Sequence, residues 1–172
     1  CFAQLKPENL ANMEGVDLIL GSNEKLDMSF YLGSLEKREK AAIHAGNIAR
    51  DKRFMPSWSS GDRTRTFLKV QDGCDYFCTY CTIPHARGRS RNATIEETVQ
   101  QAREAGHAGA REIILTGVNI GDFGKSTGET FYNLIQALEK VETVERFRIS
   151  SIEPNLLTEE IIRFVADSPK WM

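Results

Sequence analysis

The sequence predicts an α/β fold: the opening strands and helices of a partial β/α barrel, preceded by the end of a smaller α/β domain. Three observations predict it. From residue 64 onward, strand-like and helix-like segments alternate three times. A short apolar run bounded by glycines, Gly15-Val-Asp-Leu-Ile-Leu-Gly21, stands apart near the start. Between the two lies a stretch rich in proline, serine and glycine that carries no periodicity of either kind. Repeated strand-helix units imply parallel strands with helices outside, and three units are too few to close an eight-fold barrel.

The elements follow in order. A polar, helix-forming stretch from about Pro7 leads into the apolar run at residues 15–21, a buried strand. Residues 27–44 support a second helix, with Phe30, Leu35 and Ile43 among its apolar positions. Around residues 47–62 the pattern dissolves, and Pro56, Ser57, Ser59, Ser60 and Gly61 mark a linker. The predicted division is residues 1–48 for the first domain, 49–62 for the linker and 63–172 for the second domain. Thr66, Leu68 and Val70 alternate with polar neighbours as a strand over residues 64–71. Thr94-Ile-Glu-Glu97 is a capping box starting a helix that runs to about Ala105 and ends at Gly106 and Gly109. Residues 112–118 form a buried strand and residues 121–128 a glycine-rich loop. Residues 131–141 have helical spacing through Leu134, Ile135 and Leu138. Residues 146–152 form the third strand, closed by Pro154, and Thr158-Glu-Glu160 caps a final helix. Ser168-Pro-Lys-Trp-Met172 reads as the lead-in to another strand, and the start at Cys1 carries no signal-peptide pattern, so both ends are expected to be cut.

Composition narrows the function classes. Of 172 residues, 41% are hydrophobic and 27% charged, enough for a real core. The formal net charge of −2 argues against a broad nucleic-acid surface. No apolar run is long enough to span a bilayer, so a cytoplasmic protein without a membrane partner is expected. Arg87, Arg89 and Arg91 nevertheless form a local basic run.

The chemistry concentrates in Cys74-Asp-Tyr-Phe-Cys78-Thr-Tyr-Cys81. Three cysteines within eight residues are poorly placed to form disulfides. Metal binding is the better reading for a cytosolic chain. Electron-transfer cubane clusters take four cysteines. Three close ones leave one iron open, which is what a substrate-binding metal requires. Two alternatives stand beside this. His85 completes a Cys3His set for zinc, although all four ligands would then sit on one loop with Pro84 intervening. Three buried structural thiols would suit a less polar loop than one carrying Asp72, Gly73, Asp75, Thr79 and Thr82.

With the aromatic Tyr80 before its last cysteine, this spacing resembles the signature of the radical S-adenosylmethionine superfamily. Arg63-Thr-Arg65, Leu68-Lys-Val-Gln-Asp-Gly-Cys74 and Ile83-Pro-His-Ala-Arg-Gly-Arg-Ser-Arg91 are similar to its methylthiotransferase family. Cys1-Phe-Ala-Gln4 and Asp17-Leu-Ile-Leu-Gly-Ser-Asn-Glu-Lys25 resemble the end of that family's N-terminal domain. Arg63-Thr-Arg65, Leu115-Thr-Gly-Val118 and Arg148-Ile-Ser-Ser-Ile-Glu-Pro154 are most similar to the branch acting on N6-threonylcarbamoyladenosine at tRNA position 37. Sister branches act on isopentenyladenosine in tRNA or on an aspartate of a ribosomal protein.

The resemblance implies a radical SAM partial barrel. It also implies a [4Fe–4S] cluster on Cys74, Cys78 and Cys81 that binds S-adenosylmethionine, and a second, auxiliary [4Fe–4S] cluster in the full-length enzyme held in part by Cys1. It implies cofactor contacts at Tyr80, Gly117, Asn119, Ser151 and Glu153, each with a plainer alternative: loop packing for Tyr80, a strand-ending turn for Gly117 and Asn119, and capping or exposure for Ser151 and Glu153. Arg87, Arg89 and Arg91 are expected to meet tRNA phosphates in the anticodon loop, the alternative being a solvated loop. The implied electron donor is a flavodoxin or ferredoxin. His44 and His107, on predicted helices, are expected to be surface residues.

Overall fold

A computed structural model describes residues 1–33, 37, 39–50, 52–59 and 65–172. The chain divides into two compact units, Cys1–Arg53 with Cys74–Arg89, and Phe54–Gly73 with Ser90–Met172.

In the first unit, α1 (Phe2–Leu5) and α2 (Pro7–Ala11) lead to β1 (Leu18–Leu20). Pro7 fits the first turn of α2, where its missing N–H costs nothing. A 3-10 turn at Glu24–Asp27 enters α3 (Met28–Leu32), and β2 (Ala42–His44) pairs parallel with β1, Ile19 opposite Ile43. The helix expected over residues 27–44 is therefore corrected: its helical part stops at Leu32, and Ile43 and His44 are strand residues. Pairing with β1 overrides the local helical spacing. Leu35 lies outside the described residues. His44, also corrected from helix to strand, packs at a tilt against Tyr31 with ring centroids 4.8 Å apart.

The second unit is a mixed α/β layer. Its sheet joins β3 (Ser57–Trp58), β4 (Arg65–Lys69), β7 (Glu112–Thr116) and β8 (Arg146–Ile149) in that spatial order among the described residues. The strands β4, β7 and β8 run parallel, as the repeated strand-helix pattern predicts, and β3 runs antiparallel to β4. No strand was expected at β3; its two residues lie in the serine-rich stretch, too short for a period-two signal. Residues 60–64, covering Ser60, Gly61, Arg63 and the start of the predicted strand, lie outside the described residues, as does Asp51.

Alternation along the strands sorts the two faces of the sheet. Thr66, Leu68, Ile113, Leu115 and Phe147 are buried. Leu68, Ile113, Leu115 and Phe147 form one core with Ala102 and Ala105 of α5 (Ile95–His107), Leu134, Ile135 and Leu138 of α6 (Phe131–Glu139), and Ile161 of α7 (Glu159–Asp167). The opposite face bears Arg65, Phe67, Ile114, Arg146 and Arg148, with Glu112 between the arginines, 3.2 Å from Arg65 and 3.6 Å from Arg148. The capping box of α5 is formed: Glu97 N donates to Thr94 Oγ1 at 3.2 Å and Thr94 N to Glu97 Oε2 at 2.9 Å. Thr130 and Thr158 likewise cap α6 and α7. Trp171 stacks on Phe147 at 5.0 Å and bridges to it in parallel, so the last residues do pair along β8.

A second, two-stranded ribbon was not expected. β5 (Gln71–Asp72) pairs antiparallel with β6 (Arg91–Asn92), and between them leaves the segment 74–89 that carries the cysteines.

Candidate functional site

The cysteine segment folds with the first unit. Its base closes where Cys74 N donates to Gly88 O at 3.1 Å. Gly88 sits at φ +79°, and a Cβ there would stand 2.7 Å from the Ile48 carbonyl oxygen, so only glycine fits without a shift. Between these ends the loop turns tightly: Cys81 N donates to Cys78 O at 2.9 Å, and Phe77 holds φ +48°. Among the described residues Phe77 is the one non-glycine at positive φ, a conformation costing a bulky side chain about 1–2 kcal/mol. A short helix, α4 (Ile83–Arg87), follows with Pro84 in its first turn. It packs against α1 and the Ile48–Arg50 turn, and Ser22 Oγ donates to Ala86 O at 2.6 Å. The structure thus brings α1, which Cys1 caps, to the helix that follows the cysteine loop.

All four cysteines are outside any disulfide; Cys74, Cys78 and Cys81 are part-buried and Cys1 is exposed. Around them the loop presents aromatic surface, with Tyr76 at the border of exposure, Phe77 half exposed and Tyr80 91% exposed. His85 meets the Phe77 ring edge-on at 5.6 Å. Arg89 reaches Asp75 at 3.6 Å and lies over Phe77.

These donors can be tested against the implied cluster. Among the described residues no three His, Cys, Asp or Glu side chains gather round one point. Three part-buried thiols on one tightly turned loop are donors of the chemistry a cubane cluster takes. Its polar, partly exposed surroundings also fit better than a core of structural thiols.

In the second unit, the turns after β7 and β8 bring four of the expected residues together. Ile120 N donates to Ser151 O at 2.9 Å, and Glu153 N donates to Asn119 Oδ1 at 3.2 Å. Asn119 is 3% exposed, and its Nδ2 donor has no hydrogen-bond partner. A buried donor left unmade costs about 1–3 kcal/mol, which a bound acceptor would recover. Gly117 is confined: a Cβ would stand 2.8 Å from both Gln71 Oε1 and Ile120 Cγ2. The side chains of Ser151 and Glu153 are on exposed residues.

The arginines separate. Arg89 is exposed and Arg87 half-buried at the end of α4. Arg91 is corrected: it is 6% exposed, with Nη2 3.4 Å from Asp72 Oδ2. Its guanidinium fastens the β5–β6 ribbon and is enclosed from a phosphate. Nothing in the sequence assigned roles to Gln71 and Asn92, both buried in this ribbon. Asn92 Oδ1 accepts from Gly124 N at 3.0 Å and Ser126 Oγ at 2.8 Å, tying the glycine-rich loop down. Polar residues of these types are usually exposed, so no hydropathy signal marks them.

Comparison with known proteins adds an independent line. Residues 68–171 match the profile of the Radical SAM superfamily. Threonylcarbamoyladenosine tRNA methylthiotransferase MtaB of Aquifex aeolicus is 35% identical over 173 residues, 99% of this chain and 42% of that protein. The protein of the same name in Bacillus subtilis is 36% identical, covering 99% of this chain and 39% of its own length. The tRNA-2-methylthio-N(6)-dimethylallyladenosine synthase of Thermotoga petrophila is 28% identical over 99% of this chain and 38% of that protein. The chain thus spans about two fifths of the length of the curated relatives it matches.

Proposed function

We propose, from the premise that this chain belongs to the radical SAM superfamily, that it works in a methylthiotransferase acting on C2 of N6-threonylcarbamoyladenosine at position 37 of tRNA. The superfamily's cofactors are a [4Fe–4S] cluster and S-adenosylmethionine, which together supply a 5′-deoxyadenosyl radical able to take hydrogen from an unactivated carbon. The observation that carries the reading is the loop of three part-buried thiols, Cys74, Cys78 and Cys81. The threonylcarbamoyladenosine branch is favoured over the dimethylallyladenosine branch by identities of 35–36% against 28% over the same span.

The chain's own residues have separable tasks in this reading. The three thiolates would hold the cluster. Gly117 keeps the turn after β7 close to the sheet, and Asn119 offers its buried Nδ2 hydrogen to the cofactor's acceptor atoms. Ser151 and Glu153 border the same turn and supply oxygen acceptors for the ribose or the amino group. Tyr80 offers a largely exposed ring and backbone to the adenine. Arg87 and Arg89 pair with phosphates of the anticodon loop. Cys1 contributes one ligand to an auxiliary cluster whose other ligands come from outside this chain. Residues 1–48 then end the N-terminal domain, 49–62 form the linker, and 63–172 begin a radical SAM partial barrel. The setting is cytoplasmic, where tRNA and a flavodoxin or ferredoxin donor are at hand; among the described residues no helix is long and apolar enough to cross a membrane.

Anaerobic reconstitution tests the reading. A brown protein with about four irons on the 74–81 loop, and 5′-deoxyadenosine released from S-adenosylmethionine on reduction, are the expected results. Cys74→Ala, Cys78→Ala and Cys81→Ala each abolish both. Stoichiometric zinc without cleavage would sink the radical chemistry. With the full-length enzyme, a methylthio mass gain on a protein instead of tRNA would sink the substrate.

A further inference from the structure

Gln71 is fully buried, an unusual place for a glutamine, and its amide is engaged at both ends. Oε1 accepts from Val118 N at 2.9 Å and from Asn119 N at 3.0 Å, the turn after β7. Nε2 donates to Gly73 O at 2.7 Å and to Ser90 Oγ at 2.9 Å. Two backbone N–H groups converge on one end and a carbonyl receives from the other, so the network itself fixes which end is oxygen.

The partners matter more than their number. Gly73 immediately precedes Cys74, and Ser90 immediately follows Arg89: they are the two points where the cysteine segment leaves and rejoins the second unit. The turn at 118–119 carries Asn119, whose own Oδ1 accepts from Glu153 N. One buried amide therefore spans both stems of the cluster loop and the turn proposed to hold the cofactor. The close fit of Gly117 against Gln71 Oε1 and its backbone oxygen, 2.8 and 3.0 Å from a would-be Cβ, shows how tightly the turn is drawn in. Glutamine suits this job chemically. A glutamate lacks the donor that Gly73 O needs, asparagine is one methylene shorter, and leucine fills the volume but leaves two N–H groups and a carbonyl buried without partners.

We infer that Gln71 is a positioning residue for S-adenosylmethionine: within the second unit it ties Gly73 and Ser90, the residues flanking the cysteine segment, to the Val118–Asn119 turn proposed to hold the cofactor. The inference rests on the proposed cluster at Cys74, Cys78 and Cys81. Gln71 touches no reacting atom.

The test uses this chain reconstituted with iron and sulfide, as wild type, Gln71→Glu, Gln71→Leu and Ser90→Ala. The readouts are iron per chain, the change in the reduced cluster's EPR signal on adding S-adenosylmethionine, and KM and kcat for its reductive cleavage. Expected is wild-type iron loading in all four, with KM raised about ten- to a hundredfold and the EPR change lost in both Gln71 variants. Ser90→Ala, missing one bond of the network and near-isosteric, is expected to show a smaller KM rise in the same direction. Wild-type KM and EPR change in the Gln71 variants would overturn the inference. So would a loss of iron loading in proportion to the loss of cleavage, since that marks a merely structural part. A wild-type chain that takes up no cluster would instead overturn the site assignment beneath it.

Discussion

Between Arg87 and Arg91, three arginines at every second position look interchangeable in the sequence, and the structure makes them unlike. Arg91 lies enclosed against Asp72, which Lys69 also approaches at 3.0 Å, whereas Arg89 is exposed. Removing Arg91 strips a buried carboxylate of one of its cations, so Arg91→Ala is expected to destabilise the second unit by about 2–4 kcal/mol, below the full cost of orphaning a buried ion because Lys69 remains. Arg89→Ala is expected to cost less than about 0.5 kcal/mol, as surface substitutions do. Urea melts of the two variants check the contrast. If Arg89 meets phosphate, its loss instead shows in binding: the slope of log affinity for tRNA against log salt falls by roughly one, and an unchanged slope removes Arg89 from the interface. None of this difference is legible in the sequence. The partner of Arg91 stands 19 positions away, across a ribbon of two-residue strands too short to announce their register. The spacing of the three cysteines, by contrast, is written in eight consecutive residues. Asn119 lies between these cases: its place after a predicted strand was readable, its orphaned donor was not.

Helix starts were the most legible elements, because a cap is written in four consecutive residues. Thr94-Ile-Glu-Glu97 specifies both reciprocal bonds of the box that begins α5, and both are present. Thr94→Ala removes one acceptor and is expected to cost about 1 kcal/mol; thermal melts should show a drop of roughly 2–4 °C for a chain of this size, and an unchanged midpoint would mean the box contributes nothing. Strands are legible where alternation runs for five residues, as in β4, and escape where pairing is decided from afar, as in β2 and β3. β2 is the instructive failure. Phe30, Leu35 and Ile43 suggest a helical stripe, but Ile43 takes its place opposite Ile19 in a parallel pair, which no local window contains. β3 escaped for a related reason: Ser57 and Trp58 sit beside Pro56 in a segment whose composition says loop, and their strand state comes from β4 alone.

At the scale of the whole molecule, chain order and compact units disagree in one place. The cysteine segment interrupts the second unit in sequence, yet it folds with residues 1–53. Its supports there are specific: α4 packs on α1 and the Ile48–Arg50 turn, Ser22 Oγ holds Ala86 O, and Gly88 leans on the Ile48 carbonyl. The second unit owns only the stems, through Gln71 and the buried Asp72–Arg91 pair. A chain beginning at Phe54 keeps the core built by Leu68, Ile113, Leu115 and Phe147 with α5, α6 and α7, so its helical signal and a cooperative melt should persist. Its cysteine loop loses every support from the missing residues, and the entropy of ordering about sixteen residues, at 1–2 kcal/mol of backbone freedom each, falls on the cluster alone. Iron bound per chain after reconstitution is therefore expected to fall by more than half relative to the whole chain, with far-ultraviolet circular dichroism per residue nearly unchanged. Full iron loading by the shortened chain would show that the loop and its stems suffice, and would place the role of residues 1–53 elsewhere than in preparing the cluster site.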